Sequence, residues 1–132
     1  MDPRSITMAM GAGRAAFGVA MLLAPRMVGR SWVGEAADGP GGKTLVRAVA
    51  VRDLALGAGM LVALQRERPV RGWIEAGVVA DLGDTAATLL AFGQLPPLGR
   101  MVTLLLAGGS AVAGAWAVSA LDAQREESAD GA

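Results

Sequence analysis

The chain has 132 residues, enough for one domain, and its 12 basic and 12 acidic side chains cancel. Hydrophobic residues make up 53% and charged residues only 18%, against ~25% charge in ordinary soluble domains. Having no cysteine and no histidine, the chain has no disulfide or thiol chemistry and lacks the usual neutral-pH base and commonest metal ligand, and its balanced charge gives nucleic acid no footing.

The apolar content falls into four runs. The first covers residues 6–24, "ITMAMGAGRAAFGVAMLLA", and Pro25 closes it. Arg14 sits near its centre and shares a helical face with Gly11 and Gly18, which would let another helix lie close. A cleaved signal peptide is the alternative; Arg14 interrupts it, and no small-x-small site follows before Pro25. The connection from Pro25 to Lys43 is the longest, with Trp32 suited to the headgroup level.

The second run covers 44–64, "TLVRAVAVRDLALGAGMLVAL", with Arg47 near one end and Arg52–Asp53 at the centre. A short basic stretch, "QRERPVRG", leads to the third run, 73–92, "WIEAGVVADLGDTAATLLAF". At ~100° per residue Gly77, Asp81, Asp84, Thr85 and Thr88 fall on one polar face, and Val79, Leu82 and Leu90 lie opposite. The fourth run, 101–121, "MVTLLLAGGSAVAGAWAVSAL", has no charge. Its "SAVAG" (Ser110 to Gly114) is a small-xxx-small pattern, suited to packing inside a bundle or to pairing two copies. The tail, 122–132, is acidic and expected to be disordered.

Each run is close to the ~20 residues that carry a helix across ~30 Å of hydrocarbon. The expected fold is therefore all-α: a four-transmembrane-helix bundle with spans at about 6–24, 44–64, 73–92 and 101–121 in a single domain, 1–121. A soluble four-helix bundle would need a polar stripe on each helix, and the fourth run has none. Nineteen glycines, about twice the usual share, are costly in soluble helices but useful where membrane helices approach closely.

Placed by depth, Arg14, Arg52, Asp53, Asp81 and Asp84 converge on one level. Each would cost roughly 2.5–3.5 kcal/mol at mid-bilayer if it met lipid, so they are expected to face one another. Arg52 and Asp53 point ~100° apart and should address different neighbours. Three acids against two arginines leave one negative charge, to be balanced by a proton, a bound cation or Arg47. Arg47 and Glu75 otherwise reach toward opposite interfaces.

These five residues are the candidate ligand- or proton-binding site, with Arg47, Thr85 and Thr88 in support. A structural ion-pair network that fixes helix register is the rival. No metal site and no cofactor is expected. The leading functional expectation is an accessory or ligand-binding membrane protein. The alternatives are a membrane enzyme with a buried aspartic acid as general acid on a lipidic substrate, and a small oligomeric transporter or channel subunit. The expected partners are the lipid bilayer and another membrane protein or a second copy. Arg4, Arg66, Arg68, Arg71 and Arg125 outnumber Arg26, Arg30, Lys43 and Arg100 by one, which favours a plasma-membrane protein with both termini in the cytoplasm.

"GRAAFGVAMLLAP", "VRAVAVRDLALGAGML" and "DLGDTAATL" together resemble a family of small four-helix membrane proteins of actinobacteria and fungi, broadly similar to the DoxX-like group. The resemblance runs from Gly13 to Leu90 and is carried by Arg14, by Arg52, Asp53, Leu54 and Gly57, and by Asp84. It implies a four-helix membrane fold and brings no established activity.

Overall fold

In a computed structural model, residues 2–130 are described, apart from the side chains of 124–128 and 130. All regular structure among them is helical: α1 (Pro3–Leu23), α2 (Pro25–Val33), a 3-10 turn (Gly34–Asp38), α3 (Pro40–Gln65), α4 (Arg71–Leu90) and α5 (Pro97–Asp130). Proline explains most of the starts. Pro3, Pro25, Pro40 and Pro97 each open a helix, where the missing N–H is not needed and the fixed φ already suits the turn. Asp2 caps α1 by accepting from the backbone N–H groups of Arg4 and Ser5, both at 3.2 Å.

The four long helices match the four apolar runs, and α2 was not foreseen. Pro25 does end α1, but it also serves as the first residue of α2, so the expected connection is in large part helix. Gly34, at φ +71°, turns the chain out of α2 in a conformation that disfavours a side chain. The corner is tied by Arg30, whose Nε and Nη2 grip Asp38 at 2.9 and 2.5 Å.

This hydrogen-bonded fork holds the Asp38 carboxyl below its ordinary value of 3.8. A depressed folded value stabilises above the unfolded one and is lost as pH falls through the folded value. The protection of amides 25–39 relative to their intrinsic exchange rates should therefore drop on acidification from about pH 5 to about pH 2. In Asp38→Asn it should already be low at about pH 5 and drop less. An equally steep drop in both proteins would show that the fork does not hold the corner.

Two helices, α1 and the Pro97–Ala123 part of α5, are long and apolar enough to cross a membrane. The expectation of four spans is thus met by two on this measure. The physical reason is charge: α3 holds Lys43, Arg47, Arg52 and Asp53, and α4 holds Arg71, Glu75, Asp81 and Asp84. At its far end α5 runs past residue 121. Asp122, expected in the tail, stands on the helix and pairs with Arg71 of α4. The larger part of the tail for which disorder was expected falls outside the described side chains or, at 131–132, outside the described residues.

The long helices form two antiparallel pairs, α1 on α3 and α4 on α5. Glycine sets the first. A Cβ on Gly18 would lie 2.6 Å from the Ala50 carbonyl oxygen, and one on Gly57 would lie 2.5 Å from both the Ala15 nitrogen and the Gly11 carbonyl oxygen. In the second pair, Gly114 of "SAVAG" lies against Val78, so this small residue packs inside the bundle.

The seam between the pairs is closed at the end that carries the chain termini. There Met60 and Ala63 of α3 meet Val70 just ahead of α4, Ile74 of α4 and Ala117 of α5. Toward the α2 end a second cluster, Met21, Val46 and Ala50, belongs to the first pair alone, with Val28 and Trp32 packed on it. In that half the seam stays open.

Candidate functional site

The open half of the seam is a cleft of about 690 Å³. Its walls are mostly apolar and come from α1, α2, α3 and α5, among them Met10, Phe17, Trp32, Val49, Val102 and Leu106. Arg14, Asp53, Asp81 and Asp84 form its charged part.

These residues and Arg52 make one chain of alternating charge. Arg14 of α1 donates through Nη1 to Asp53 Oδ1 of α3 at 3.0 Å and through Nη2 to Asp81 Oδ2 of α4 at 2.5 Å. Arg52 of α3 donates to the same Asp53 Oδ1 from Nη2 at 3.2 Å, and grips Asp84 of α4 as a fork, Nη1 to Oδ1 at 2.9 Å and Nη2 to Oδ2 at 2.6 Å. The order Asp81–Arg14–Asp53–Arg52–Asp84 crosses the seam twice. It joins α4 to the α1–α3 pair where few other contacts do so.

Asp81, Arg14 and Asp53 are nearly sealed, with side-chain exposures of 7–8%, while Arg52 and Asp84 are partly open. Such burial is tolerable because each charge has an opposite partner. A lone buried ion costs several kcal/mol, and the mutual attraction offsets that only in close geometry. The arginine fork supplies it, because its donors lie in one plane and match a carboxylate edge.

Local sequence explains the placement. Arg14 stands between Gly11 and Gly18, where α1 touches α3, and the short gap lets its guanidinium reach both Asp53 and α4. On α4 the face that carries Ile74, Gly77, Asp81 and Thr88 is buried. Thr85 lies one turn beyond Asp81 on the same side. Its hydroxyl is enclosed and meets no partner among the described residues.

All five central candidates are brought together. Of the three supporting residues, Thr85 and Thr88 lie on the buried side of α4 but do not bond to the ion chain. Arg47 departs from expectation. It is exposed and borders a separate hollow with Arg26, Lys43 and Leu23, so it does not balance the central acids. Its long stem carries the charge toward the α2 end instead. Glu75 pairs with Arg71 at the other end, at 2.7 Å.

The cleft itself had no signal in the sequence beyond aromatic residues at Phe17 and Trp32, because it depends on how the two helix pairs splay. Arg47→Gln should leave the thermal unfolding midpoint within the shift expected of about 0.5 kcal/mol. A larger loss, read by circular dichroism in detergent, would return Arg47 to the network.

No family model, no curated protein and no solved structure matches the chain.

Proposed function

We propose that this chain is an integral membrane protein whose four long helices all cross the bilayer, and that its mid-membrane ion chain is a binding site for a ligand or a proton. The carrying observation is an inversion of the soluble pattern at one level of the bundle. Val79 and Val112 are 70% and 72% exposed there, while Asp53 and Asp81 are 6% and 5% exposed. A soluble fold puts valine inside and aspartate outside; a bilayer reverses the preference of the outer face.

Other features agree. In the apolar windows of α1 and α5 only 22% of residues are buried, whereas the core helix of a soluble protein is mostly buried. Leu23, Leu90, Leu98 and Leu105 project outward as well. The central charges on α3 and α4, Arg52, Asp53, Asp81 and Asp84, pair within the bundle, and Lys43, Arg47, Arg71 and Glu75 lie toward the helix ends, so lipid need not solvate them at mid-bilayer. The resemblance to four-helix, DoxX-like membrane proteins supports the same reading. The surplus negative charge beside an open cleft favours binding over a purely structural role, since a register clamp needs no cavity.

The absence of cysteine makes the test direct. Single cysteines at positions 36, 67, 79 and 112 should be challenged with a membrane-impermeant maleimide in intact vesicles. Positions 79 and 112 should stay unlabelled until detergent is added, and 36 and 67 should label from opposite sides. Rapid labelling at 79 and 112 in vesicles would contradict the membrane reading, because both side chains are open in the fold.

A second reading, an enzyme acting on a lipidic substrate, draws on the cleft beside Asp53 and Asp81, which is roomy enough for an alkyl chain. It needs a carboxylic acid with a proton to give. Each carboxylate of this chain instead pairs with a guanidinium through at least one oxygen, which favours the ionised form and weighs against it.

A further inference from the structure

We infer that the cleft takes a lipophilic organic cation, an alkyl- or arylammonium whose nitrogen lies against Asp53 Oδ2 and Asp81 Oδ1 and whose apolar body fills the space near Phe17, Trp32 and Val102. This rests on the reading of the ion chain as a binding site, and specifies its ligand.

Charge decides the sign. The five-membered chain carries three carboxylates and two guanidiniums, hence one formal negative charge, and Arg47 is too remote to cancel it. An anion entering the cleft would meet that surplus. Arg14 would be a weak partner for it, because each terminal nitrogen already spends one N–H on Asp53 or Asp81 and its charge is shared between those two carboxylates. The hydroxyls of Ser31 and Thr103 line the cleft but send their hydrogens to the backbone, to the Val28 carbonyl at 2.8 Å and the Gly99 carbonyl at 2.9 Å. What these two offer a ligand is lone pairs. Ser110, among the described lining residues, keeps a hydroxyl free for either role.

Unmet acceptors decide the position. Asp53 receives its donors on Oδ1, and Asp81 receives its donor on Oδ2. Among the described residues no donor reaches Asp53 Oδ2 or Asp81 Oδ1. Both side chains are more than nine-tenths buried, and both border the cleft. Neither oxygen is among the fully enclosed unpartnered atoms, which among the described residues are Thr85 Oγ1 and Arg100 Nε, so each keeps some accessible surface on a side chain that borders the cleft and can accept from a ligand there. An ammonium group brings up to three N–H donors and the compensating charge together.

The walls decide the body. They are chiefly apolar and include Phe17 and Trp32, aromatic residues of the type that attracts cations. A hydrated inorganic ion would gain nothing from them. A hydrophobic amine would gain from burial along its whole length. The volume of about 690 Å³ lies within the usual range for small-molecule sites.

The test uses the full chain in phosphatidylcholine nanodiscs, with empty nanodiscs as the blank. Three probes share one ring: 1-naphthylmethylamine, 1-naphthylmethanol and 1-naphthoate. At neutral pH they are cationic, neutral and anionic. Equilibrium binding should favour the amine over the alcohol by at least about tenfold, with the acid weakest. Asp81→Asn should remove the preference for the amine and leave the alcohol's affinity unchanged.

Should Asp81→Asn fail to fold, Val102→Trp, at a half-open position on the cleft wall, should weaken amine and alcohol alike. The comparison of probes on the unaltered protein needs neither variant. Equal binding of all three, tighter binding of the acid, or no binding above the blank would overturn the inference. These outcomes are separable from failure of the membrane reading. If positions 79 and 112 are shielded in vesicles and the amine is not preferred, only the ligand class falls. If those positions label freely, both fall.

Discussion

Replacement of Arg14 by methionine is expected to be the most damaging single change to the bundle. It removes the one group that bridges Asp53 of α3 and Asp81 of α4, and it leaves Asp81, 7% exposed at its side chain, with no cation in reach. Breaking one side of a buried ion pair costs about 3–5 kcal/mol, most of it the penalty of the charge left behind. The lost packing of the arginine stem is the smaller part, since methionine has a similar shape.

That division has its own check. Arg14→Met combined with Asp53→Leu and Asp81→Leu removes the orphaned charges together with their partner, and should recover most of the loss. Arg14→Lys should fall between, because a single ammonium cannot reproduce a planar group that holds two carboxylates on two nitrogens. Thermal unfolding in detergent, followed by circular dichroism, reads all three. A single variant within about 1 kcal/mol of the parent would mean that water already solvates these acids.

The second large effect is expected at Gly57. A Cβ there would stand 2.5 Å from two backbone atoms of α1, the Ala15 nitrogen and the Gly11 carbonyl oxygen. Neither can rotate aside, so the helices must separate. Gly57→Val should cost about 1–3 kcal/mol, the range for overpacking, and should also draw Arg14 away from Asp53. Gly83 is the control, because a Cβ on it would meet nothing within 4 Å. Gly83→Ala should be neutral or stabilise α4 by up to about 1 kcal/mol through helix propensity. If both changes cost the same, helix propensity rather than close approach is what glycine supplies at 57.

Periodicity made much of this legible. The polar face of α4 follows from residues 77, 81, 84, 85 and 88, and its other face, with Val79, Leu82 and Leu90 outward, from the same count. The angle between Arg52 and Asp53 foretold separate neighbours, and the two do turn to Asp84 and Arg14, but they also pair with each other at 3.2 Å, which the angle did not foretell. Which arginine would meet which aspartate was not legible. That depends on the depth to which α1 sinks onto α3, which three glycines set from different parts of the chain.

Where sequence reasoning failed, one residue type was given one meaning. Pro25 was read as a stop, although the same geometry starts α2. Asp122 was read as tail because the apolar run ended, although backbone hydrogen bonding continues and Arg71 waits one helix away. Hydropathy has the same weakness in α3 and α4. It charges Arg52 or Asp81 as if exposed to lipid and takes no account of the partner that faces it.

The central claim is that outward-facing apolar helices enclose a paired charge cluster within the bilayer. Its most direct measurement is the distance between the labelled Arg14 guanidinium and the Asp81 carboxyl by solid-state NMR, with the protein reconstituted in lipid. Strong dipolar coupling at a nitrogen–oxygen approach below about 4 Å, with guanidinium N–H protons that resist exchange in deuterium oxide, is the expected result. Loss of that coupling in bilayers, with both groups open to water, would contradict it.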